Sequence, residues 1–328
     1  MARSRRSDAL SKRVTDLLTR MMTARSAARS RQLDRILMSL ATALFLGGFV
    51  IAYVNLPDPM REPVWGLLAV TAVAGVPLTL ATNTGEYLVS LKLLGYRVPL
   101  EVAVRVSVLA AAANLLPLPG SVLVRTHAIR RLGAKTSRAF GVSTLVGVSW
   151  LAVTAVLAGG FLLVYGRLPI GVITVTVGAL LLGATWYLFA RLTVSRSLRL
   201  TARLFLVEIA SVLVKAARLY VVFQALRYHV DIDQVLALTM AAVVSTASGF
   251  FPGGLGATEV LSAAISPLIG LSPAVSLLVA AIDRLLGIAV LGLLAAVLLV
   301  HRPELVEEVA ETTAAVETSD DGQGSIPQ

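Results

Sequence analysis

Apolar residues dominate positions 36–56, 64–91, 139–165, 168–190, 204–226 and 272–300, and polar clusters separate these stretches. An α-helix rises about 1.5 Å per residue and the hydrocarbon core of a bilayer is about 30 Å thick, so each stretch is long enough to cross. The pattern predicts six spans. Two further apolar pieces read differently. Residues 100–116 just reach crossing length, but a crossing would carry Arg125, Arg130, Arg131, Lys135 and Arg138 away from the other basic loops, against the cytoplasmic bias of Lys and Arg. Residues 234–251 run into a proline-glycine break, and 259–269 beyond it extend only about 16 Å as a helix, roughly half a bilayer. Each piece is expected to enter and return on one side, as a re-entrant hairpin.

The breaks are LLPLPGSVLVR at 115–125 and FFPGGLGATE at 250–259. Unpaired backbone costs several kcal/mol per group in hydrocarbon, so such breaks persist only where protein buries them or water reaches them. Span, hairpin and span recur over 64–165 and 204–300, and the odd number of crossings between them inverts the second copy. The expectation is an all-α polytopic membrane protein with an inverted-topology repeat, whose site lies near the midplane where the hairpin tips meet. Its domains are a basic arm at 1–35, a membrane domain at 36–302 and an acidic, disordered tail at 303–328.

Composition agrees with a membrane protein and narrows its chemistry. The chain has 328 residues, 56% hydrophobic and 15% charged, and a mean hydropathy of +0.81. The sequence has no cysteine and three scattered histidines, so no metal site or cofactor is expected. The net charge of +10 is crowded into membrane-flanking segments, which fits topology signals and anionic lipid rather than nucleic acid. In the arm, Leu10, Val14, Leu17, Leu18, Met21 and Met22 recur at helical spacing, so it reads either as an amphipathic helix on an anionic leaflet or as a disordered basic tail. Both termini are expected in the cytoplasm, with the chain in a bacterial-type inner membrane.

Candidate site residues cluster around the breaks and within the last spans. Gly253, Gly254 and Gly256 permit a tight turn or close backbone approach, and a helix starting near Thr258 would aim its amides at an anionic head group. Glu259 reads either as a helix cap or as an acid that binds a head group or a proton. Arg125 is either a phosphate clamp or a cytoplasmic anchor. Ionisable groups within a span cost about 2.5 to 3.5 kcal/mol each on insertion scales, so Glu208, Lys215 and Arg218 should face protein or water. Asp283 and Arg284 are expected to form a buried network with Lys215, Arg218 or Glu208.

PGGLGATE, the apolar segment before it and Asp283-Arg284 about 25 residues later resemble the transmembrane flippase-like domain of the lysylphosphatidylglycerol synthase family. The resemblance runs from about residue 36 to 300, and its family positions here are Pro252, Gly253, Gly254, Gly256 and Glu259. Family members often carry Gly-Glu before the arginine and Glu-Arg in the next span. Here Ser121-Val122 precede Arg125 and Ser149-Trp150 hold the second place.

The resemblance implies movement of a phospholipid or lipid-linked head group between leaflets. The chain offers no length after residue 300 for the soluble aminoacyl-transfer domain of full-length synthases, so lipid aminoacylation is not expected. GxSxG, HExxH and GxxxxGK[ST] are all missing from the sequence, which leaves hydrolase and ATP-driven readings without support. The competing reading is a membrane scaffold for an envelope lipid or glycan enzyme, docked through the arm and tail.

Overall fold

The computed structural model describes residues 47, 50, 54, 62–113, 120–192, 198–248 and 256–301. Most of the expected span 36–56, both expected hairpin tips with Gly253 and Gly254, and the two terminal segments lie outside the described residues. Among the described residues all regular structure is helical. Helix α1 covers Trp65–Leu93, α2 Leu100–Ala113, α3 Gly120–Arg131, α4 Thr136–Val164 and α5 Leu168–Leu192. Helix α6 covers Leu198–Ala225, α7 Ile232–Ser248, α8 Ala257–Ile265 with a 3₁₀ turn Ser266–Ile269, and α9 Pro273–His301.

Four helices have the length and apolarity of a membrane span: α1, α4, α5 and α9. Helix α6 has 28 residues, which suffices in length, but Glu208, Lys215 and Arg218 interrupt its apolar character. The remaining helices are shorter. Helix α2 has 14 residues, or about 21 Å of rise. Helix α3 has 12 residues and α7 has 17.

Helix α1 holds a π turn at Thr71–Gly75, in which the Val76 N–H reaches back to the Thr71 carbonyl. Pro77, just beyond it, has no N–H to return to residue 73. A wider turn there absorbs the lost bond, and the helix runs on without a break.

Two apolar cores sit at opposite ends of the bundle. One gathers Leu91 and Leu93 from the end of α1, Ala103 from α2, Ile129 from α3, Val142 from α4, Phe189 from α5 and Leu204 from α6. The start of α2 and the end of α3 therefore meet at one end. The other core joins Leu68, Leu162, Phe223, Val235, Leu236, Ile269 and Leu278. The start of α7 and the 3₁₀ turn after α8 likewise share that end. Glu208 lies on α6 one turn from Leu204 in the first core and one turn from Val212 in the second.

Helices α4 and α5 make the closest pair. A Cβ on Gly159 would lie 2.7 Å from both the backbone N and Cγ2 of Val175. Only glycine fits there, and it brings the two backbones together, the device by which membrane helices gain dispersion contacts without a hydrophobic drive. A turn through Gly166, at φ 78°, joins the two helices.

Candidate functional site

Between the two cores lies a cavity of 220 Å³ with Lys215, Arg218, Asp283 and Arg284 on its wall. It is shared widely. Helix α1 contributes Thr79 and Asn83, α2 Ala111, α4 Trp150, α7 Ala242, and α8 Thr258 and Ser262.

Asp283 is its buried anionic centre, with 1% of its side chain exposed. Lys215 Nζ forms an ion pair with Oδ2. Arg218 Nη2 stands 2.8 Å from Oδ1 and donates to the Asp283 backbone carbonyl at 3.1 Å. Lys215 and Arg218 are three apart on α6 and so project from one face, which is why a single carboxylate from α9 meets both. Arg218 Nη1 also donates to Thr79 Oγ1 at 3.0 Å. The guanidinium thus joins α1, α6 and α9, and it lies against Gly75 in the π turn, where a Cβ would come within 2.8 Å of its Cγ.

Glu259 stands in the first turn of α8, next to Gly256 at φ 77°. Its carboxylate is buried and accepts from Arg284 Nη1 at 3.2 and 3.3 Å. Among the described residues it makes no hydrogen bond to the amides of its own turn, so the pairing with Arg284 takes the place of a capping role. Thr258 donates to Ser245 Oγ at 2.8 Å and fastens α8 to α7.

Arg125 lies elsewhere. It forms an ion pair with Glu86 of α1, donates to the Asn83 carbonyl at 3.4 Å and is not on the cavity wall. The structure therefore places this arginine one layer behind Asn83. Glu208 is also apart from Asp283: it is fully buried, and its Oε1 lies 3.1 Å from Ser149 Oγ of α4. Of the expected network, Lys215, Arg218 and Asp283 come together, Arg284 turns to Glu259, and Glu208 turns to Ser149.

Sequence reasoning missed Glu86, Thr79 and Gly75 as site residues. Asn83, Thr84 and Glu86 form a polar run in an apolar span, and an acid in that run was the signal for a partner to Arg125. Glu86, on α1, is the acid that Arg125 meets.

The family model described as lysylphosphatidylglycerol synthase TM region matches residues 62–295. Together with the long apolar helices, that match makes the chain a multi-pass membrane protein. No curated protein matches it. With well over half of its 328 residues inside the matched region, the chain belongs to the lysylphosphatidylglycerol synthase transmembrane family.

Proposed function

We propose that the protein moves an anionic phospholipid or lipid-linked phosphate between leaflets, without nucleotide hydrolysis and without covalent chemistry. The observation that carries this reading is the charge of the cavity. Lys215, Arg218 and Arg284 line it against Asp283, and Glu259 stands behind Arg284, so three cations meet two carboxylates. The excess positive charge suits a phosphate. A volume of 220 Å³ is small beside the roughly 300 Å³ and more of drug-sized ligand pockets. It fits a head group whose acyl chains stay in the bilayer.

The packing supports an inverted repeat around this cavity. Helices α2 and α3 begin and end at one core, and α7 and the turn after α8 begin and end at the other. In our reading these pairs are re-entrant hairpins from opposite sides, flanked by six spans in all. The basic residues Lys92, Arg130, Arg131, Lys135, Arg191, Arg199 and Arg203 lie near the first core; from the cytoplasmic bias of Lys and Arg we read that end as the cytoplasmic side of an inner membrane, the side on which we propose both termini. The head group enters the cavity and exchanges with Asp283 and Glu259 for the cations as the halves rock, so access alternates about a fixed site.

Mass spectrometry of lipids retained by purified protein tests the site. Selective retention of an anionic phospholipid, weakened in Lys215→Gln, is expected. Bulk lipid retained equally by both proteins contradicts it and favours a scaffold for an envelope enzyme.

A further inference from the structure

Glu208 is a buried ionisable group that the cavity does not use. It is fully buried on α6 and is not on the cavity wall. Ser149 Oγ lies 3.1 Å from Glu208 Oε1 and 2.8 Å from the Val146 carbonyl oxygen. A serine hydroxyl has one proton and two lone pairs. The shorter contact is the back-bond of a helical serine onto its own preceding turn, and it takes that proton. A lone pair of Oγ then faces Glu208 Oε1, an arrangement that a protonated carboxyl group completes by donating to it.

The surroundings agree. Glu208 Oε2 is buried with no hydrogen-bond partner among the described residues, which suits the carbonyl oxygen of a neutral acid better than half of a carboxylate. The charged neighbours that act on Glu208 are Glu86 and Arg125, and these are already paired with each other. Glu259 and Asp283 each have a cation of their own. Glu208 has none among the described residues.

We propose that Glu208 is a proton-binding site, whose Oε1 carries a proton donated to Ser149 Oγ in this conformation and released when Arg125 shifts from Glu86 to Glu208. Glu86, left without its guanidinium, takes up a proton as Glu208 gives one up. The buried charge therefore stays constant through the exchange, which avoids the cost of an isolated ion in a dry interior. Placing this exchange in the transport cycle rests on the lipid-moving reading above; the protonation of Glu208 does not.

Infrared difference spectroscopy in an ester-free detergent tests the proton site without any substrate. At neutral pH the wild type should show a carboxylic acid carbonyl stretch that Glu208→Gln removes and Ser149→Ala moves to higher frequency, because the acid loses its acceptor. The serine variant keeps the test decisive if the glutamine variant fails to fold. A spectrum with no band that depends on either residue overturns the proposal. For the coupling, the proton passes from Glu208 to Glu86, so exchange of labelled phosphatidylglycerol should slow about tenfold in Glu208→Gln and in Glu86→Gln, each of which removes one of its two sites. Wild-type rates in both variants, or no exchange in the wild type, remove the coupling role while the infrared band still decides the proton site.

Discussion

Arg218 and Asp283 meet at 2.8 Å across the interface of α6 and α9, and the same guanidinium reaches Thr79 on α1. One side chain therefore holds three helices around the cavity. Substituting Asp283→Asn leaves Lys215 and Arg218 without their buried counter-charge, and loss of one partner of a buried pair costs about 3 to 5 kcal/mol. We expect the purified variant to unfold at a markedly lower temperature. Adding Lys215→Met to Asp283→Asn should recover part of that loss, as a double-mutant cycle of thermal unfolding would measure.

Gly75 gives a second handle on the same contact. A Cβ there would stand 2.8 Å from Arg218 Cγ and 3.2 Å from Cδ, so a larger residue pushes the guanidinium off Thr79. Gly75→Val should cost about 1 to 3 kcal/mol, the usual range for overpacking, and slow leaflet exchange. Gly66 has open space where its Cβ would be and serves as the control, with Gly66→Ala expected to change neither thermal unfolding nor exchange.

Glu259 and Arg284 pair at 3.2 Å beside the cavity. Glu259→Gln keeps the shape and a hydrogen-bond acceptor but removes the charge. The protein should accumulate to normal levels while leaflet exchange falls about tenfold, equivalent to about 1.4 kcal/mol on the barrier. Unchanged exchange in a well-folded Glu259→Gln protein would remove this residue from the mechanism.

The interface of α4 and α5 has no cavity residue on its glycine seam, so damage there should act through stability. Gly159→Leu forces apart backbones that meet where a Cβ would lie 2.7 Å from Val175 N. We expect low membrane abundance and a lowered unfolding temperature. Retained lipid per folded molecule should stay as in the wild type, which the lipid mass spectrometry above reads directly.

Hydropathy made the long helices legible, because a span of given length needs an apolar run that no loop needs. Charge within an otherwise apolar run was equally telling: Asp283 and Arg284 were expected to join a network with Lys215, Arg218 or Glu208, and Asp283 meets the first two. What the sequence withheld was register between helices far apart in the chain. Arg125 and Glu86 are 39 residues apart, and nothing in either segment says which turn of α1 faces which turn of α3. The same gap hid the separation of Glu208 from Asp283. Both belong to or face α6, but Glu208 turns to Ser149 on α4, a partner that looks like a neutral filler when read along the chain. Gly75 was hidden for a different reason, since a glycine in a span signals close approach without naming what approaches.

The central claim is that the charged cavity carries a lipid head group across the bilayer. Its most direct test places the purified protein in phosphatidylcholine vesicles containing a trace of fluorescent phosphatidylglycerol, and adds a membrane-impermeant quencher outside. The account predicts that wild-type protein exposes the inner-leaflet label to the quencher and that Lys215→Gln slows this about tenfold, about 1.4 kcal/mol. An inner leaflet as protected with the wild-type protein as in protein-free vesicles would contradict it.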